Sequence, residues 1–144
     1  METLGDAGLV FALCLAALGS ALGTGAAGMG ALGAWKRCLL SDKNAPFILI
    51  AFVGAPLSQT IYGMILMNTI KASPETVSAL TKLSAGLMGG FAMGVSAWLQ
   101  GRAGAIASDT VAETDKGFGN AIMVLGVIET VALFVMVFLM TVLR

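Results

Sequence analysis

The chain of 144 residues contains no histidine and only two cysteines, Cys14 and Cys38. Transition-metal centres and Cys/His catalytic sites therefore have no ligand set. The two cysteines lie 24 positions apart on what reads as one helix, hence about 36 Å apart at 1.5 Å per residue. That separation excludes a disulfide within the chain. Charge is scarce too, at 11%, with eight basic and eight acidic side chains. There is no basic patch or tail, which argues against nucleic acid as a partner.

What fills the chain instead is apolar: 58% of residues are hydrophobic and the mean hydropathy is +0.93. A soluble domain of this length does not look like this. Four apolar segments stand out, 7–34, 46–70, 83–106 and 118–143, each long enough to span a bilayer with some tilt. The opening segment carries Glu2 and Asp6 and no early Lys or Arg, the wrong start for a signal peptide, and reads as the first membrane helix. The fold class is an all-α membrane protein of four transmembrane helices. The nine methionines read as lipid-facing filler. Lys36, Arg37, Lys43, Arg102 and Lys116 fall in the first and third connections, against Lys71, Lys82 and Arg144 on the other side, a bias of five to three. This favours hairpin loops in the cytoplasm and termini outside.

The chain repeats itself. A shift of 71 lays Gly19, Gly23, Ala26, Gly30, Gly33 and Ala34 onto Gly90, Gly94, Ala97, Gly101, Gly104 and Ala105, and a shift of 72 lays Ile50, Gly54 and Met64 onto Ile122, Gly126 and Met136. Residues 1–72 and 73–144 thus read as two tandem helical hairpins. Small residues at spacings of three and four along the first helix of each hairpin let backbones approach closely, as membrane helices do when they associate. They predict a tightly packed inner layer.

One residue breaks the apolar pattern. Between Gly119 and Leu143, 25 positions, Glu129 is the sole ionisable side chain and sits eleventh, near mid-membrane. A carboxylate there costs about 2.5–3.5 kcal/mol and normally faces protein or water on an ion or substrate pathway. Its partners follow from depth. Gln100 and Glu129 are equally far from the loop centre between Thr114 and Asp115, so they should face one another. The repeat maps them onto Met29 and Leu57, so the first hairpin carries an apolar version of the same place. Next to Leu57, however, Ala55, Ser58, Gln59 and Tyr62 fall at i, i+3, i+4 and i+7, one helical stripe. Pro56 lacks an N–H, leaves the Phe52 carbonyl without its usual donor and disturbs the ladder nearby. One carboxylate among neutral oxygens, with no buried cation beside it, binds either a proton or a hard cation. Side chains and a carbonyl supplying about five oxygens suit a monovalent alkali ion such as Na⁺, with H⁺ as the alternative, since a divalent ion normally attracts further carboxylates.

These residues resemble a family: the membrane rotor subunit, called K, c or proteolipid, of V-type and A-type rotary ATPases in its duplicated four-helix form. The resemblance covers nearly the whole chain, through the doubled Gly-rich hairpins, the segment "PLSQTIYG" and the fourth-helix Glu in "VIETVALF". It implies that Glu129, Gln100, Gln59, Ser58 and the carbonyl of Ala55 ligate Na⁺, with Tyr62 hydrogen-bonding the Glu. Ser58 stands where Thr is usual but keeps the hydroxyl, and Leu57 stands where a small Gly is usual. The resemblance further implies a homo-oligomeric ring of identical chains in the lipid bilayer of a prokaryotic cell. That ring would turn against a stator membrane protein that bears an Arg. It would be driven through a central shaft at the cytoplasmic loops, with ATP hydrolysed on other subunits and no catalysis by this chain. The competing reading is a small four-helix proton-coupled secondary transporter. Such exporters tend to place their Glu in the first helix and line it with aromatics, whereas the first helix here is Gly-rich. A purely structural proteolipid would not gather Glu129, Gln100 and Gln59 at one depth.

Overall fold

A computed structural model of the chain describes residues 2–144 and is all-helical. Helix α1 spans Glu2–Leu40; α2, Ile50–Gly54, and α3, Ser58–Ala72, form one interrupted second segment; α4 spans Ala79–Thr114 and α5 Phe118–Val142. Short 3-10 turns at Phe47–Leu49 and Ala55–Leu57 start and break the second segment. Three stretches, Leu4–Leu40, Phe47–Ala72 and Phe118–Val142, are long and apolar enough to cross a membrane. Helix α4 has 36 residues, about 54 Å, and is long enough as well. Its glycines, serines, Gln100 and Arg102 make it the least apolar of the long helices, and its setting permits this because most of its small residues are buried against other helices.

The turns are stopped by backbone conformation. After α1, Asp42 adopts a left-handed φ of 53° and Lys43 N–H returns to the Cys38 carbonyl at 2.9 Å; after α4, Asp115 does the same at φ 55° and Gly117 at φ 85° admits the chain to α5. Left-handed residues after the last helical turn end helices in this way. On the opposite side Ser78 caps α4, its hydroxyl accepting the Thr81 N–H. Trp35 donates its indole N–H to the Pro46 carbonyl at 2.8 Å and pins the first turn.

Helices α1 and α4 run parallel in close contact along most of their length. A side chain at Gly101 would strike the Gly23 carbonyl, and one at Gly19 would strike Gly94. Both pairs permit backbone approach that any Cβ would prevent, and the expected inner layer is present. Around it the core divides in two. One apolar cluster holds Ala12, Ala16, Leu66, Ile70, Met93, Ala132 and Met136, and the other, toward the hairpin turns, holds Ala31, Ala34, Leu49, Phe52, Val111 and Leu125. Phe52 and Phe118 join the two hairpins there, ring centroids 5.2 Å apart. Met93 and Met136 are core, so the methionines are not all lipid-facing filler.

Arg102 corrects the charge count. It lies inside α4, twelve residues before its end, about 18 Å along the axis, exposed and over the Trp98 ring at 5.8 Å. The hairpin-turn end therefore carries Lys36 and Arg37 at the end of α1 and Lys43 and Lys116 in the connections, four against three. α4 extends that far because small residues down to Ala112 keep meeting α1.

Candidate functional site

Between the two apolar clusters lies a polar layer: Ser20, Gln59, Ser96 and Gln100 are all buried. The second segment enters this layer through its break. Pro56 cannot donate to the helical ladder, and the chain tightens into the 3-10 turn at Ala55–Leu57, so that Ser58 N–H reaches the Ala55 carbonyl. The Ser58 hydroxyl donates to that carbonyl as well, at 3.1 Å, and lies 3.1 Å from Gln59 Oε1.

From there the side chains join in sequence. Gln59 Nε2 donates to Gln100 Oε1 at 2.9 Å. Gln100 Nε2 donates to Glu129 Oε2 at 3.2 Å and to the Leu125 carbonyl at 3.0 Å. Tyr62 donates its phenol O–H to Glu129 Oε1 at 2.6 Å. All five side chains and the carbonyl singled out in the sequence are thus brought into one connected network, drawn from the 3-10 turn and α3 of the first hairpin and from α4 and α5 of the second. Gln59 and Gln100 are wholly buried, while Glu129 is half-buried at the outer face, flanked by exposed Val127 and Val131. In this arrangement the carboxylate receives a donor on each oxygen, and Gln100 turns its amide nitrogen toward it.

Sequence reasoning missed Ser96. Its hydroxyl donates to the Ile128 carbonyl at 2.9 Å and fastens α5 one residue before Glu129. The available signal was its position four residues before Gln100, on the same helical stripe.

Residues 83–142, covering nearly all of α4 and α5 with Gln100 and Glu129 among them, match the C-subunit family of ATP synthases. The K subunit of the A-type ATP synthase of Methanocaldococcus jannaschii is 34% identical to this chain over 131 residues, which make up 91% of this chain and 57% of that protein. The chain is thus similar to the ATP synthase C-subunit family through its second hairpin and to the K protein over most of its length. A similarity covering 131 of 144 residues necessarily includes Ala55–Tyr62, so the likeness to the K protein extends beyond the hairpin that holds Glu129. The chain spans a little over half the length of that relative. That similarity fits an all-α chain made of hairpins, three of whose helical stretches are long and apolar enough to cross a membrane.

Proposed function

We propose that the chain is an ion-carrying rotor subunit of an A/V-type rotary ATPase, binding one cation at Glu129 and carrying it across the membrane as a ring of identical chains turns. The observation that carries this reading is the hydrogen-bonded run from the Ala55 carbonyl to Glu129 in an otherwise apolar bundle. A carboxylate with a bound cation is neutral and can pass along the lipid face. An empty one is charged and cannot, unless a stator Arg meets it. The chain itself hydrolyses nothing; ATP would act on other subunits and reach the ring through a central shaft at the hairpin turns.

For Na⁺ the ligands are Glu129, Gln100, Gln59, Ser58 and the Ala55 carbonyl. Loading requires two rearrangements: Ser58 must release its O–H from the carbonyl, and Gln100 must present its oxygen in place of its nitrogen. The second reading, H⁺, is favoured by that same nitrogen, since Gln100 already donates to Glu129 and a protonated carboxyl needs only Tyr62 to turn. Labelling by a carbodiimide that attacks protonated Glu129 separates the two. Under the Na⁺ reading, the reaction slows as Na⁺ rises and the protection weakens as pH falls. A rate indifferent to millimolar Na⁺, Li⁺ and K⁺ near neutral pH leaves the proton reading.

Orientation belongs to the same proposal, with both hairpin turns cytoplasmic on the four-to-three basic bias. Cys38 is buried against the Ala112 carbonyl, so an impermeant thiol reagent needs another handle. Ser41→Cys in a chain lacking Cys14 and Cys38 should react only from the cytoplasmic side, and labelling from outside intact cells reverses the topology.

A further inference from the structure

Two hydroxyls at the polar layer have no partner. Ser20 is 2% exposed and its hydroxyl makes no hydrogen bond, and the buried hydroxyl oxygen of Thr24, one turn further along α1, makes none either. Helical hydroxyls of this kind ordinarily return to the carbonyl four residues back, as Thr69, Ser108 and Thr110 do in this chain. Ser20 and Thr24 do not.

The packing brackets where they face. Gly63 of α3 rests on Ala16, so that a Cβ placed there would lie 2.6 Å from the Ala16 methyl, and Gly23 rests on Pro56, where a Cβ would lie 2.9 Å from the ring. Ser20 lies between Ala16 and Gly23 on α1, and Gln59 lies between Pro56 and Gly63 on the antiparallel second segment. Ser20 is therefore level with Gln59, and Thr24 with Ala55. Gln59 has an unmet need of its own. Its oxygen is 3.1 Å from the Ser58 hydroxyl and one N–H goes to Gln100, but a primary amide carries two N–H donors and this one is wholly buried.

We infer that α1 holds a buried water molecule between Ser20, Thr24 and Gln59, and that this water fixes the Gln59 amide with its oxygen toward Ser58. The water accepts the spare Gln59 N–H and a hydrogen from one hydroxyl, and donates to the other hydroxyl. Buried waters occupy polar sites offering two to four such partners. The images of Ser20 and Thr24 in the second hairpin are Phe91 and Val95, so the pair is not part of the repeated scaffold and occurs only where α1 backs the ligands. Ser20 and Thr24 are positioning residues: without the water, the Gln59 amide can turn over and present nitrogen to the ion. That consequence rests on the reading of Glu129 as the ion carrier, whereas the water does not.

The test has two arms. A high-resolution density map of the detergent-purified full-length protein should show an ordered solvent peak within hydrogen-bond reach of Ser20 Oγ, Thr24 Oγ1 and Gln59 Nε2, lost in the S20A/T24V double variant. No peak in the unaltered protein overturns the inference, whatever ion the site carries. In the second arm, the Na⁺ concentration that half-protects Glu129 from the carbodiimide should rise on the order of tenfold in the double variant, as when partners behind a metal ligand are removed. Thr24→Ser, which keeps the hydroxyl, should leave it unchanged. A double variant protected at the unaltered concentration overturns the positioning role. Should Na⁺ fail to protect even the unaltered protein, the ion reading fails, and the map alone decides the water.

Discussion

At the level where the second hairpin places Gln100 and Glu129, the first places Met29 and Leu57. Gln100 is wholly buried and Glu129 is held by two donors, whereas Met29 is 71% and Leu57 53% exposed. The scaffold positions show no such difference. Gly30 and its image Gly101 both sit in the α1/α4 contact, one against Ala105 and the other against Gly23. The two hairpins thus share the small residues that bring backbones together, while the polar chemistry gathers at one of the two corresponding places. The first hairpin contributes from the flank, through Ser58, Gln59 and Tyr62 just after Leu57. Close helix packing is required of both hairpins, but a carboxylate at this depth is costly, and the donors that satisfy it, Tyr62 and Gln100, converge on Glu129.

The largest effects should appear where that difference is attacked directly. Glu129→Gln should abolish ion transport by the reconstituted complex while leaving assembly intact, because the replacement is neutral and still accepts from Tyr62. Leu57→Glu should create no second working site, since its depth partner is Met29. Transport that survives the first change, or labelling of a Glu at 57 that is protected by Na⁺, breaks the contrast. Next come the scaffold positions, where the hairpins should behave alike. Gly101→Val and Gly30→Val each drive a side chain into backbone or Ala105 and should lose about 1–3 kcal/mol or more of stability, as overpacking does. Gly126→Ala, with nothing within 4 Å of the added carbon, should melt close to the unaltered chain. Thermal unfolding in detergent reads all three.

Much of this contrast is legible in the sequence alone. Glu129 stands out by isolation in an apolar span, Gln100 by equal distance from the turn, and the Ala55–Tyr62 stripe by helical spacing, because depth and face follow from regular helix geometry. What escapes depends on contacts between helices. Arg102 reads as part of a connection because charge ordinarily marks the end of a span, yet α4 continues past it on small residues facing α1. Ser20, Thr24 and Ser96 sit among glycines and alanines, where a hydroxyl reads as one more small packing residue until its partner, or the lack of one, is known. Nor can composition say that Gln100 offers nitrogen rather than oxygen to Glu129, the detail on which the choice between Na⁺ and H⁺ turns.

A smaller effect separates Gln100 from Met29. Gln100→Leu removes the acceptor for Gln59 and the donor to Glu129 and Leu125, leaving buried groups unpaired at about 1–3 kcal/mol. The Na⁺ needed for half-protection should rise roughly tenfold for every 1.4 kcal/mol lost. Met29→Gln, on an exposed face, should not change it.

The smallest effect belongs to the one ion pair seen among the described residues, Arg37 of the first hairpin with Asp109 of the second. It ties α1 to α4 on the exposed flank of the apolar cluster that holds Val111. Both side chains are about half exposed, at 52% and 47%, so water and salt screen the attraction and two flexible side chains lose freedom in making it. Exposed pairs of this sort contribute about 0–1 kcal/mol. Asp109→Asn should therefore shift the melting temperature little, and the shift should shrink further in high salt. The Gly101→Val loss, which comes from backbone overlap, should persist there. A large, salt-independent loss in Asp109→Asn would mean that the hairpins are held together at their turns rather than along the glycine-lined contact between α1 and α4.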